Sequence, residues 1–350
     1  MSGTAGAAPD RVAWVDDARG IGIALVVVGH TLPGLWNAGV LSDAGPARGL
    51  VDWIYSFHMP LFFFLSGLFA VRAADAPLAP LVATKLRTIA YPYVVWSVIQ
   101  TLAQVAVGGA TNHPADLRSL LSIAWAPIMQ FWFLYALFLI ALAAGALQRA
   151  GLRPPAILVL SVALYVWAQV GSLGPWGVPY TVANNMLYFA AGMTAAAALP
   201  AWLGRWRPAP ALAVGVAGFA ALALAVAVGV QAQPWLRPVL ALLGIAATLL
   251  LSASLASALR VAWLAAWGRE SLAIFVAHSM ASAAVRIVLL RVLHVAAPWP
   301  HVVLGVAAGL LLPLALARAC ERLGFRYAFT WPSRRPPRPA AGLRMAWEGR

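Results

Sequence analysis

The chain has 350 residues, of which 63% are hydrophobic and 10% charged. A soluble domain is nearer half apolar and a quarter charged, so a water-surrounded fold of this composition has too little polar surface to cover it. The net charge of +14 does not gather into one basic face and gives no footing for nucleic acid. The single cysteine, Cys320, excludes an internal disulfide and a cysteine-clustered metal site.

Residues 1–17 read as a cytoplasmic segment. Asp10, Asp16 and Asp17 balance Arg11 and Arg19, so the positive start of a cleaved signal peptide is missing and the first apolar run is expected to stay as a membrane span. Ten apolar stretches follow: Ala18–Leu35, Trp53–Val71, Ile89–Val107, Phe131–Leu147, Pro155–Val170, Thr181–Leu199, Ala209–Val230, Val239–Leu259, Ser271–Leu293 and His301–Ala319. Each approaches the roughly 20 residues that carry a helix across the hydrocarbon core. Several are valine-rich, but unpaired strand backbone is not tolerated in lipid, so all ten read as helices. The expectation is an all-α integral membrane protein of about ten transmembrane helices, with a transmembrane domain over 18–323 and a Pro/Arg-rich, disordered tail over 324–350. Leu117–Met129 is apolar but short and reads as an interfacial or re-entrant piece. No repeat of 20–50 residues is visible.

Basic residues orient this arrangement. With ten spans, nineteen of the 24 lysines and arginines fall in the N-terminal segment, the even-numbered loops and the tail. Arg48, Arg118, Arg237, Arg286 and Arg291 fall on the opposite side. Cytoplasmic loops carry the Lys/Arg excess, which puts both termini inside. An alanine- and arginine-rich, lysine-poor usage suits a high-GC bacterial genome and hence a bacterial cytoplasmic membrane.

Ionisable residues at membrane depth are costly and mark function by default. His30 lies eleven residues past Arg19, roughly 16 Å along a helix. His58 enters the second stretch from outside. His278 lies eight residues past Glu270, roughly 12 Å in. All three can reach one cavity, although a buried histidine also serves as a hydrogen-bonded link between helices. His113, His294 and His301 fall at loops or interfaces and read as bystanders. The Asp16-Asp17 pair, ahead of the first span, suits a capped helix start. There is no Walker loop, no G-x-S-x-G elbow and no H-E-x-x-H.

Three segments carry a resemblance. They are Trp14–Ile23 running on to Val27-Val28-Gly29-His30-Thr31-Leu32; Ile54-Tyr55-Ser56-Phe57-His58-Met59-Pro60 through Ser66-Gly67; and Lys85-Leu86-Arg87-Thr88 with Tyr91-Pro92-Tyr93 and Trp96-Ser97. Weaker echoes are Phe131-Trp132-Phe133-Leu134 and Gly268-Arg269-Glu270-Ser271-Leu272 with His278. Together they resemble the acyltransferase 3 family of membrane acyltransferases, most closely its fucose 4-O-acetylase-like branch. The resemblance implies ten helices, cytoplasmic ends, and transfer of an acyl group, usually acetyl, from acyl-CoA to a hydroxyl of a glycan, lipid-linked sugar or small metabolite. It implies no metal. The family's Arg, ten residues, His pattern falls on Arg19 and His30, making His30 the catalytic base. The basic pair that the family associates with CoA falls on Lys85 and Arg87, with Thr84 standing where an arginine is often found.

Such a transfer needs the alcohol proton removed as its oxygen attacks the thioester, and imidazole suits that task near neutral pH. CoA is a cytoplasmic polyanion, so Arg19, Lys85 and Arg87 stand on the side where its phosphates arrive. Asn184, Asn185 and Tyr188 enter the sixth stretch from outside and either bind acceptor hydroxyls or join helices. Glu270 either orients His278 or starts the ninth helix. The competing class is a proton-coupled transporter or flippase, against which the chain shows neither half-to-half similarity nor paired broken helices.

Overall fold

The computed structural model describes residues 13–71, 77–110, 112, 116–171, 177–259 and 261–331. Arg72, His113, Arg260 and the tail from residue 332 lie outside the described residues. The described residues form helices and turns, without a strand.

All ten apolar stretches are helical, but not as ten plain rods. The first is α1 (Ala13–Trp36). The second is broken into α2 (Gly45–Tyr55) and α3 (His58–Leu68). The third is the last part of one long bent helix, α4 (Leu78–Lys85), a π turn (Leu86–Ala90) and α5 (Tyr91–Val107). After a four-residue helix, α6 (Ser119–Ser122), come α7 (Trp132–Arg149), α8 (Pro154–Gln169), α9 (Val178–Ala195), the short α10 (Leu199–Gly204), α11 (Pro208–Ala227) and α12 (Arg237–Ala258). The chain closes with α13 (Ala262–Arg269), α14 (Ser271–Ile287), a second π turn (Val288–Val292) and α15 (Pro298–Arg322).

Among the described residues, six helical segments are long and apolar enough to cross a membrane: Ala13–Trp36, Met129–Arg149, Pro208–Ala227, Arg237–Ala258, Ser271–Val292 and Pro298–Arg322. The protein is therefore a multi-pass membrane protein. Only 22% of the α11 window is buried inside the protein, and Val216 and Leu224 lie exposed on it. In water that face would be a liability; in hydrocarbon it is the ordinary outside of the molecule.

Proline explains where these helices start and break. Eight of them carry proline in their first two positions, where its missing N–H has no intrahelical partner to lose. Pro60 cannot donate to the Ser56 carbonyl and crowds it, so the second stretch breaks at Ser56-Phe57 and restarts at His58. Pro92 does the same to the Thr88 carbonyl. There the helix survives by widening, with the Tyr91 N–H reaching back five residues to the Leu86 carbonyl.

α1 is the central helix, touching α2, α3, α12, α13, α14 and α15. α15 runs antiparallel to it, with Gly305 against Thr31 and Gly309 against Val27. Two ends of the bundle can then be followed by contact. Near Asp16, α13 lies against α1 so closely that a methyl on Gly20 would overlap the Leu264 carbonyl and one on Gly268 would overlap the Asp16 carbonyl. Such backbone approach through small residues is how helices associate where no hydrophobic effect drives them. The end marked by Trp36 holds the C-termini of α5 and α14 and the N-terminus of α15.

Two expectations are corrected. Asp16 and Asp17 lie inside the first turns of α1 rather than ahead of it, which suits compensation of the helix dipole and not capping. The tail is not irregular from residue 324: its first part packs on α5, where Tyr91 donates to the Tyr327 carbonyl (2.7 Å), Trp96 Nε1 donates to the Ala328 carbonyl (2.7 Å), and Phe329 lies on the Trp96 ring. The short apolar piece Leu117–Met129 forms no long helix. It is α6 and turns, tied down by Tyr135 donating to the Ala124 carbonyl, with Leu121 and Trp125 exposed.

Candidate functional site

Three histidines and a tyrosine meet beside the middle of α1. The ring centroids of His30 and His278 are 5.1 Å apart. Tyr55, the last residue of α2, lies 6.3 Å from His30 and stacks on His58 at 5.1 Å. The break at Ser56-Phe57 produces this arrangement. It lets Tyr55 reach α1, where its hydroxyl donates to the Gly29 carbonyl (2.6 Å), while His58 starts a new helix.

Each imidazole is held by its own backbone. His30 Nδ1 lies 2.8 Å from the Val26 carbonyl, His58 Nδ1 lies 2.8 Å from the Ile54 carbonyl, and His278 Nδ1 lies 2.8 Å from the Phe275 carbonyl. A carbonyl oxygen only accepts, so Nδ1 carries the proton in each bond and Nε2 is left as the basic nitrogen of a neutral ring. The Nε2 of His278 faces the Ser279 hydroxyl at 3.2 Å. His58 and His278 are buried, whereas His30 is half-buried and opens onto space.

That space is two cavities meeting at His30. One, of about 480 Å³, is polar at its rim, with Asp52, Asn184, Asn185, Tyr188 and Arg237 beside His30 and His58. The other, of about 690 Å³, runs between α1, α5, α14 and α15 and is lined by His30, Ser279, Met280, Ser282, Arg286 and His301, among others. His30, Gln130 and Trp132 line both. Gln130 is buried and fixed by its donation to Gln100 (2.8 Å). Both cavities extend from His30 to the Trp36 side, where Asp52 lines one and Asn37 the other. Toward the Asp16 end the level below His30 is filled by aromatic rings: Phe62 and Phe63 pack edge-on against Phe133, and Phe133 against Phe275 at 5.4 Å.

Of the remaining sequence candidates, the cations and Glu270 line neither cavity. Arg19 stacks its guanidinium over Phe69 at 5.5 Å, near the Asp16 end of α1. Lys85 and Arg87 flank the start of the π turn at that same end, Arg87 exposed and Lys85 half-buried. Burial holds the Lys85 ammonium below the usual lysine range. None of these cations lines either cavity at His30. Glu270 is exposed and makes no side-chain cap at the start of α14, and the ring of His278 is positioned by its own helix. Asn184 joins two helices, and Asn185 bonds only its own. Their amides donate to the Tyr180 and Thr181 carbonyls, Asn184 also accepts from Gln169 (2.8 Å), and both still line the smaller cavity.

Sequence reasoning missed Gln130, Arg286 and His301. Gln130 carries no charge to draw attention. Arg286 was counted only as a loop cation and His301 as a bystander, yet both are buried. The signal for Arg286 was present, since an arginine inside an otherwise apolar run is itself an intramembrane charge. Among the described residues no set of three His, Cys, Asp or Glu side chains could hold a metal ion.

A multi-pass helical protein with an imidazole base exposed in a membrane-depth cavity belongs to the class that performs group transfer inside the bilayer, or that moves protons through it. Comparison with known families decides between them. The acyltransferase-domain model of the acyltransferase 3 family matches residues 12–318, and the chain belongs to that family. No curated protein and no solved structure matches it.

Proposed function

We propose that this protein is an acyl-CoA-dependent membrane O-acyltransferase that moves an acetyl group to a hydroxyl-bearing acceptor, with His30 as general base. Family membership supports acyl transfer rather than transport. The observation that carries the role of His30 is its geometry: Nδ1 is committed to the Val26 carbonyl and the ring lies where two cavities meet.

In this reading an acceptor hydroxyl reaches His30 from the Trp36 end, which is the outer face of the membrane. Its oxygen attacks the thioester carbonyl while Nε2 takes the hydroxyl proton. The C–S bond then breaks, and the imidazolium returns that proton to the departing thiolate, leaving the ester and free CoA. The Asp16 end is cytoplasmic. There Lys85 and Arg87 bind CoA phosphates, and Arg19 supports the donor nearer the membrane. Ten helices cross the membrane with both ends inside, so the alternation of basic loops supports this orientation. The transmembrane domain is residues 18–323. Asn184 and Asn185, with amide groups at the polar cavity, contact acceptor hydroxyls. The acetylated product is a glycan, lipid-linked sugar or small metabolite of the cell envelope, as in the fucose 4-O-acetylase-like branch.

The thioester must pass the rings of Phe62, Phe63, Phe133 and Phe275 to reach His30, so donor binding displaces part of this aromatic layer. The test is transfer of label from acetyl-CoA in membranes containing the wild type or His30→Ala at matched levels. The reading expects label in a lipid, glycan or small-molecule fraction from the wild type only. Equal label from both would remove His30 from the chemistry.

A further inference from the structure

The larger cavity holds a charge that the reaction does not use. Arg286, on α14, is 6% exposed and lines the cavity that ends at His30. Its Nη1 donates to the Gly34 carbonyl at 2.7 Å. Among the described residues no carboxylate pairs with it. A buried guanidinium has five N–H donors and a large desolvation cost, and one carbonyl oxygen does not answer either.

A second unpartnered group lies at the same level. The Ser282 hydroxyl donates to the Gly305 carbonyl at 2.9 Å, which fixes the antiparallel register of α14 and α15. Arg286 is one turn beyond Ser282 and His301 one turn before Gly305, so the two face one level of the cavity. His301 is 1% exposed. Its Nε2 donates to the Val295 carbonyl at 2.8 Å, and its buried Nδ1 has no partner. Met280, Ala283, Ala284 and Ile287 give the cavity apolar walls, and Asn37, Gln104 and Asn112 polar ones. The cavity thus presents one strong cationic donor, and beside it lies a covered acceptor nitrogen without a partner, where unmet polar groups are costly.

From this arrangement we infer that Arg286, beside His301, binds an anionic group of the acceptor, a phosphate or carboxylate. The negative oxygens face the guanidinium. This rests on the acyltransferase reading and narrows its acceptor. Arg286 lies eight residues past His278, whose ring touches His30, so the anionic group sits roughly 12 Å from the acylated hydroxyl by helical rise. That is the reach of a sugar ring and its substituent. The anion belongs either to a membrane-borne sugar phosphate or to a soluble acidic acceptor.

The test measures binding without donor, on the full chain in phosphatidylcholine nanodiscs, as the shift in thermal midpoint during titration. The probes are a prenyl monophosphate in the bilayer and, in solution, glucose 1-phosphate and glucuronic acid. Prenol and glucose are the uncharged controls. At least one anion is expected to stabilise the wild type and His30→Ala alike, well beyond its uncharged counterpart. A response to the prenyl phosphate alone means a lipid-linked source; a response to the soluble anions means a soluble one. Arg286→Gln is expected to weaken binding at least tenfold and Arg286→Lys to restore part of it. Asn112→Ala separates binding from helix capping, because Asn112 also donates to the Gly34 carbonyl (2.8 Å) but brings no charge; it should bind as the wild type does. The inference is overturned if no anion binds, if Arg286→Gln binds as the wild type, or if Asn112→Ala loses as much as Arg286→Gln. If Arg286→Gln is not recovered folded, the preference of the wild type for anions over uncharged probes decides. Failure of acyl transfer itself would appear in the label assay and not in this one.

Discussion

At the Asp16 end the helices touch backbone to backbone, with Gly20 and Gly268 leaving no room for a methyl, and the level beneath His30 is filled by phenylalanine rings. At the Trp36 end the same helices part around two cavities, and glycines such as Gly34 have nothing near the place a Cβ would occupy. The cations proposed for CoA stand at the closed end; the polar and apolar linings proposed for the acceptor stand at the open one. The contrast suggests a division of labour in which the acceptor site is preformed and the donor opens its own way.

The comparison can be broken most severely at the point where the two ends meet. His30→Ala should lower turnover about 10²–10⁴-fold, the range for loss of a general base, with little change in thermal midpoint because His30 bonds only its own helix. A loss of stability equal to the loss of rate would make His30 a structural residue. Next comes packing. Gly268→Ala should destabilise the protein by about 1–3 kcal/mol, the usual penalty of overpacking, whereas Gly34→Ala should leave the midpoint nearly unchanged. Equal effects would erase the difference between the ends.

Charge at the closed end gives a smaller effect. Arg87→Gln should raise the KM for acetyl-CoA about tenfold, as expected for a charge-assisted contact worth about 1.5–3 kcal/mol, and leave acceptor KM alone. Lys85 adds a pH signature. Burial lowers its pKa, so its ammonium is fully present at low pH and is lost as pH rises, before an ordinary lysine would lose it. Donor affinity should therefore weaken toward alkaline pH, and Lys85→Arg should flatten that dependence. A profile identical in wild type and Lys85→Arg would take Lys85 out of the donor site. The smallest effect belongs to the open end: Asn184→Ala should raise acceptor KM a few-fold, a neutral hydrogen bond being worth about 1 kcal/mol. No change in acceptor KM would leave Asn184 as a link between α8 and α9 through Gln169.

Much of this was legible in the sequence because lipid imposes simple rules. Every stretch that length and apolarity marked is helical, and the cost of charge at membrane depth marked the three histidines that meet. What stayed hidden was geometry made by single residues. Pro60 breaks a run that hydropathy reads as continuous, and that break brings Tyr55 and His58 to His30. Pro92 leaves the long helix intact but converts one turn to π, so the helix begins at Leu78 and not at Ile89. Arg286 and His301 looked unrelated, fifteen residues apart across a turn. The Ser282–Gly305 hydrogen bond that puts them on one level is a property of two packed helices and not of either alone.

The most direct measurement of the central claim uses sealed vesicles of both orientations, each containing acceptor on both faces, with labelled acetyl-CoA added only outside. The account predicts acyl transfer in inside-out vesicles, where Lys85 and Arg87 face the added donor, and none in right-side-out vesicles until they are permeabilised. Equal transfer in sealed right-side-out vesicles would mean that the donor enters by the open Trp36 end, and would contradict the assignment of the two ends.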